Sequence, residues 1–229
     1  MKLLAFETAT EACSVALWID GDVRERFELA PRRHAEFALP WADALLREAG
    51  IAKSQLDAIA VGRGPGAFTG VRLAIAIAQG IALALERPVV GVSTLAALAM
   101  QADGDRVLAA IDARMGEVYL GAFERHADGV RALGAETVVK PDLAPVPDGG
   151  WACVGTGFAA ADGALLRRLQ AAPGLLDAAA LPHAADVARL AAPAFARGEA
   201  VAPERIEPAY LRDNVALTLV QQQALRDSR

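Results

Sequence analysis

The chain has 229 residues, 54% of them apolar but only 5% aromatic, and a formal net charge of −5. That length can fill one large domain or two small lobes with a close-packed, alanine-rich core, which excludes a disordered chain. The acidic balance excludes a free-standing nucleic-acid binder, and Cys13 and Cys153, far apart and without neighbouring Cys or His, exclude a disulfide framework or zinc site.

Taken in order, residues 2–6 read as a buried strand, 7–11 as a polar turn and 13–19 as the returning strand. Asp20-Gly21-Asp22 marks a hairpin, and residues 23–29 form a third, more exposed antiparallel strand. From 34 to 49, Phe37, Trp41, Leu45 and Ala49 recur every four residues, as an amphipathic helix requires. Pro40 either kinks that helix or marks its first full turn.

Residues 56–61 are a strand that delivers Gly62-Arg63-Gly64-Pro65-Gly66-Ala67-Phe68-Thr69-Gly70-Val71-Arg72. Four glycines in one strand-to-helix turn permit positive φ and close backbone approach. Such a turn is either a tight structural corner or a cradle whose amides receive a phosphate. No Gly-Lys-Ser/Thr closes it, so it is not a Walker A loop. The next helix, 71–86, carries polar side chains only at Arg72, Gln79 and Glu86, spaced by seven. Ala74, Ala78 and Ala82, with Gly80 nearby, would let a neighbour approach closely, in the core or across a subunit interface. Its apolar run from 73 to 85 is interrupted by Gln79 and falls short of a bilayer span. With no leader-like segment at the start, a cytoplasmic location is expected.

Residues 88–92 form a short strand, and Ser93 or Thr94 caps a helix through Met100. After a polar joint at 101–105, a strand at 107–112 ends in Asp112, turns through Ala113-Arg114-Met115-Gly116 and returns at 117–123. Phe6-Glu7 matches Ile111-Asp112, and Ser14-Val15-Ala16-Leu17 matches Tyr119-Leu120-Gly121-Ala122 without a gap. This internal repeat points to duplicated lobes. A third strand falls within 130–139, a surface loop at 141–150, and residues 151–157 repeat the strand running into a glycine turn. Helices follow at 160–171 and 184–197, then an extended stretch at 208–212; the tail 215–229 is helical, ordered by a partner, or frayed.

Glu7 and Asp112, at the ends of equivalent strands, are expected to face each other across a cleft. With Gly64, Gly66, Thr69 and Gly70 they are the candidate phosphate contacts. A surface acid in a turn is the plainer reading of either one. His34, His126 and His183 have no partner at i+3 or i+4, so no metal site is expected. Gly-x-Ser-x-Gly is absent, and Ser14 and Thr69 have no base beside them, so no catalytic residue is assigned.

Glu7-Thr8-Ala9-Thr10 before Ser14-Val15-Ala16-Leu17, His34, the 62–72 glycine segment, Asp112-Ala113-Arg114-Met115-Gly116-Glu117-Val118-Tyr119 and Pro208-Ala209-Tyr210-Leu211-Arg212 together resemble the TsaB (YeaZ) family. The resemblance spans nearly the whole chain. It implies an α/β, actin/Hsp70-like fold of two RNase H-like lobes with mixed sheets flanked by helices. Residues 1–101 would form the first lobe, completed by 206–229, and 102–205 a smaller second lobe.

The same resemblance implies a non-catalytic scaffold that pairs with the catalytic paralogue TsaD in threonylcarbamoylation of the adenosine beside the tRNA anticodon. It implies the TsaE ATPase as a further partner, tRNA contact only through the complex, and a homodimer when alone. No cofactor would be tightly bound, with ATP or ADP only at the complex interface. Docking would use helices 33–49 and 71–87, through Phe37, Trp41, Leu45, Arg72, Ile75, Ala78, Gln79 and Ala82. The family usually has Asp where this chain has Glu7, and Ser where it has Ala67. The rival classes are an ATP-dependent sugar or acyl kinase using Glu7 and Asp112, and a peptidase homologue.

Overall fold

A computed structural model describes residues 1–145, 149–169 and 175–212. The tail expected to be helical or frayed, the C-terminal end of the proposed lobe completion, and residues 170 and 171 of the expected 160–171 helix lie outside the described residues.

The first sheet has the order β3 (Asp22–Leu29), β2 (Ala12–Ile19), β1 (Lys2–Glu7), β4 (Ala58–Gly62), β5 (Val89–Val92). Its first three strands are antiparallel, while β1, β4 and β5 run parallel. The second sheet repeats that order with β8 (Gly129–Ala132), β7 (Glu117–His126), β6 (Arg106–Arg114), β10 (Ala152–Val154) and β11 (Leu175–Asp177). β9 (Thr137–Val139) also pairs with β7, so the third strand expected within 130–139 is split in two. These are two RNase H-like lobes in an actin/Hsp70-like arrangement.

The duplication is real, but its register differs from the sequence match by one residue. Glu7 lies opposite Ser14, whereas Asp112 lies opposite Val118. The second turn is one residue shorter, and the irregularity falls between Asp112 and Arg114. Ser14 therefore corresponds to Val118, not Tyr119.

The alternation of β1 decides what covers each face of the first sheet, because successive side chains point to opposite sides. Leu4 and Phe6 project with Val15, Leu17, Ile59 and Val61 toward α1 (His34–Glu48) and α2 (Phe68–Leu85). Leu3 and Ala5 project with Ala16, Ala58 and Ala60 to the other side, where α5 (Ala184–Ala196) lays down Ala184, Val187, Ala188 and Ala191. Small residues on both surfaces let helix and sheet approach closely. Fully buried Phe6, Phe123 and Phe158 each contribute about 1.5–3 kcal/mol by leaving water.

Two helices are exchanged between lobes. α3 (Thr94–Ala99), capped by Ser93 as expected, places Leu95 and Leu98 on the second sheet against Val107, Ile111 and Phe123. α5 falls within residues 102–205 yet covers the first sheet. Val201 then bridges β5, and Ile206 joins the first lobe's core. α4 (Ala160–Leu169) stays with the second sheet, where Leu165 meets Phe158 and Trp151.

Polar groups fix the exchanged α5. Ala184 N donates to Ser14 Oγ at 2.8 Å and Ala185 N to Glu25 Oε1 at 3.0 Å. Ser14 Oγ itself donates to Glu25 Oε1 at 2.7 Å, and His183 Nδ1 lies 2.9 Å from Glu25 Oε2. Burial alone would raise the Glu25 carboxyl, but the hydrogen bonds from His183, Ser14 and Ala185 outweigh it and hold it low. His183, raised chiefly by its bond to Glu25, stacks on Phe27 with ring centroids 4.1 Å apart. Ser14 is fully buried as a cap for α5, which removes it as a nucleophile.

Candidate functional site

The turn after β1 and the glycine turn after β4 meet beside the N-terminus of α2. Glu7 does not face the second lobe from there. Its Oε1 accepts from Ala9 N at 2.7 Å and its Oε2 from Thr94 Oγ1 at 2.9 Å. Thr94 closes the loop, accepting from Gly64 N at 3.2 Å while its own N donates to Gly64 O at 2.9 Å. A Cβ on Gly62 would stand 1.9 Å from Glu7 Oε2, so that glycine exists to seat the carboxyl. Glu7 is 1% exposed and ties β1, the glycine turn and α3 together. An acid at a strand end is here a buried strut, which corrects the expectation of a cleft-facing phosphate contact.

Burial is the largest influence on that carboxyl and raises its pKa to about 7, against the lowering by Ala9 and Thr94. A carboxyl with a folded pKa above its unfolded one binds more protons when folded. Stability is therefore lost as pH rises from about 4.5 to about 7. Glu7→Gln keeps the shape without the charge. Relative to wild type it is expected to gain on the order of 3 kcal/mol between pH 4.5 and pH 8, read from thermal melts at both values. Parallel pH dependence of the two proteins would show that Glu7 is not the titrating group.

The remaining glycines serve contact between α2 and the first turn. Ala67 N donates to Ala9 O at 2.7 Å, and Thr8 Oγ1 to Gly70 O at 2.7 Å. A Cβ on Gly66 would lie 2.5 Å from Ala9 O, and one on Gly70 2.0 Å from Thr8 O. Gly64 adopts a φ of 92°, open to glycine at no steric cost. α2 accordingly begins at Phe68, three residues before the periodicity predicts, with Ala67 at its N-cap. Gly64 and Gly70 are buried and Thr69 is exposed on the first turn.

A cleft of about 530 Å³ separates the lobes. Of the candidate phosphate contacts, Gly66 and Asp112 line it. Asp112 is already engaged: Oδ1 accepts from Arg114 N at 2.7 Å and Oδ2 from Arg114 Nη1 at 3.0 Å. The cleft also takes in Arg32, Thr156 and the extended stretch Pro208 to Arg212, none of which was singled out there from the sequence apart from the Pro-Ala-Tyr-Leu-Arg motif itself. Ala209 N donates to Arg63 O at 2.8 Å, and Arg212 bonds Glu117 and, at 3.3 Å, Ala113 O. This stretch runs from one lobe to the turn of the other. Among the described residues no three His, Cys, Asp or Glu are placed to share a metal ion.

The second surface is on α1 and α2. Leu45, Ile75, Ala78 and Ala82, expected as docking residues, are instead core residues, at 2%, 6%, 0% and 0% exposure. Ala74, Ala78 and Ala82 lie against the sheet, so the intramolecular alternative is the correct one for that stripe. The opposite face of α2 carries a second small stripe, Ala76, Gly80 and Ala84, all exposed, flanked by Phe68 at 64% and Leu83 at 59%. A Cβ on Gly80 would meet no atom within 4 Å. Because α2 starts at Phe68, its 18 residues reach the length and composition of a membrane span, which corrects the reading of the 73–85 run as too short, although the core helix of a soluble protein meets the same test. Phe37 and Trp41 stack at 4.9 Å and are half-buried on α1, with Leu39 exposed at 52%. Gln79 Nε2 donates to Pro203 O at 3.0 Å, which commits it within the chain.

Comparison with known proteins places these features among relatives. Residues 28–219 match the family model described as TsaD, tRNA N6-adenosine threonylcarbamoyltransferase. The chain is 45% identical to the tRNA threonylcarbamoyladenosine biosynthesis protein TsaB of Escherichia coli strain K12, over 94% of this chain and 96% of that protein. It is 38% identical to the protein of the same name from Haemophilus influenzae, covering 94% and 95%. The solved structure of YeaZ from Pseudomonas aeruginosa superposes with a TM-score of 0.85 at 48% identity, covering 92% of this chain and 99% of that one.

Proposed function

The chain belongs to the TsaB family of tRNA threonylcarbamoyladenosine biosynthesis proteins, and from that premise we propose that it is a non-catalytic docking subunit of the transferase that modifies tRNA. Its partner is the catalytic paralogue TsaD, seated on α1 and the outward face of α2. The observation that carries this reading is α2 itself: an 18-residue apolar helix whose outward face leaves Phe68, Ala76, Gly80, Leu83 and Ala84 exposed. An apolar face of that extent marks an interaction surface. The TsaE ATPase joins the pair, any ATP or ADP enters at the interface between subunits, and tRNA meets the chain through the complex in the cytoplasm. Alone, the chain covers the same face by forming a homodimer.

The kinase-like rival is disfavoured by the carboxyls it needs. Glu7 is enclosed under the glycine turn and Asp112 is held by Arg114. The experiment is reconstitution with the paralogue, tRNA and enzymatically supplied threonylcarbamoyl-adenylate. Transfer to tRNA is expected to require the chain and to survive Asp112→Ala nearly in full. Turnover of Mg-ATP by the chain alone, abolished by Asp112→Ala, would overturn the reading.

A further inference from the structure

We propose that the partner docked on α2 presents a carboxylate to Arg72, which the chain holds ready against two aromatic rings; this rests on the docking reading above. Across Phe68–Leu85 the only charged side chain is Arg72. It sits at the edge of the outward face, on the same side as Ala76 and Leu83 by helical spacing. Its guanidinium carbon lies 3.2 Å from the centre of the Phe68 ring and 4.9 Å from that of Tyr210. Both rings are more than half exposed, and Phe68, Arg72 and Tyr210 all line the cleft between the lobes where it meets the start of α2, so the cluster stands at the surface rather than in the core.

The donor count gives the partner's chemistry. Arg72 has five N–H groups in a planar fork. One nitrogen donates to Phe68 O at 3.1 Å and another to the Tyr210 hydroxyl. Three N–H groups have no acceptor among the described residues. While the face is wet, water serves them; once a partner covers the apolar stripe, a cation with unfilled donors would be stranded in a desolvated seam. A carboxylate fits the fork in bidentate fashion and neutralises the charge, where a carbonyl would do only half of that.

The stacking explains why the arginine is poised. Tyr210 belongs to the stretch whose Ala209 N bonds Arg63 O and whose Arg212 grips the second lobe's turn. The ring that orients Arg72 is thus anchored to both lobes. Little side-chain freedom is left to lose when the partner arrives, which favours tight docking.

Binding of the purified paralogue to immobilised chain, measured at 50 and 500 mM salt as chosen conditions, tests the proposal. Arg72→Met is expected to raise Kd at least about 30-fold at the lower salt and to flatten the salt dependence seen with wild type. Arg72→Lys keeps the charge but loses the fork, so it is expected to keep the salt slope and recover only part of the affinity. Melting curves establish that both variants fold. If Arg72→Met binds as tightly as wild type, or more tightly, or keeps the wild-type salt slope, the proposal is overturned while the docking reading stands. A defect that emerges only when tRNA is added would assign the guanidinium to RNA phosphate and overturn it equally. If wild type itself does not bind the paralogue, both readings fall.

Discussion

Gly70→Ala is expected to cost about 3 kcal/mol of stability and to lower the melting temperature by about 6–12 °C for a chain of this length. The added methyl would stand 2.0 Å from Thr8 O and 3.1 Å from the Thr8 carbonyl carbon. Neither is the free end of a side chain, so the turn after β1 or the first turn of α2 must move. Movement also strains the two bonds that join them, Thr8 Oγ1 to Gly70 O and Ala67 N to Ala9 O. Helix propensity runs the other way, since alanine in a helix is favoured over glycine by about 1 kcal/mol, but the clash is the larger effect. Gly80→Ala is the matched control, because open space surrounds that position; it is expected to be neutral or stabilising by up to about 1 kcal/mol. If Gly70→Ala melted like Gly80→Ala, the close approach of α2 to the first turn would not be what this glycine serves. Differential scanning calorimetry on the three proteins makes that comparison.

Much of the fold is legible in the sequence wherever a residue's neighbours along the chain decide its place. The buried run of β1, the four-residue recurrence of Phe37, Trp41 and Leu45 and the Ser93 cap are local patterns, each with its counterpart in the structure, and the match of Phe6-Glu7 to Ile111-Asp112 holds as equivalent strand ends in the two sheets. What escapes is decided by contacts distant in sequence. Periodicity identifies α5 as a helix but not which sheet it covers; that depends on the small face made by Ala5, Ala16 and Ala60 and on Ser14 and Glu25. The three-residue β11 is too short to show a period.

The candidate site was harder to read for the same reason. Glu7 has the composition of a surface turn, and it takes the bare backbone of Gly62, the amide of Ala9 and the distant hydroxyl of Thr94 to make room and partners for it indoors. In α2 both faces are apolar and both carry small residues at four-residue spacing, so periodicity alone cannot orient the helix. The stripe through Ala74, Ala78 and Ala82 meets the sheet, and the stripe through Ala76, Gly80 and Ala84 meets solvent. Arg72 was recognisable from the sequence as the start of a polar stripe; its partners Phe68 and Tyr210 are 4 and 138 residues away.

That orientation makes neighbouring positions on one helix report opposite things. Ala78 has 0% exposure, so Ala78→Glu buries an unpaired charge in the core and is expected to prevent folding. Gly80 is exposed with nothing within 4 Å of a Cβ, and glutamate is a better helix former than glycine. Gly80→Glu is therefore expected to fold with wild-type stability or better, while placing a carboxylate in the middle of the seam where a partner must close. Binding of folded Gly80→Glu protein to the purified catalytic paralogue, by titration calorimetry against wild type, is the measurement on which the docking account depends. A loss of affinity of about 100-fold or more is the expected result. Wild-type affinity in a correctly folded Gly80→Glu protein would contradict it, because a partner that tolerates a charge there is not seated on this face.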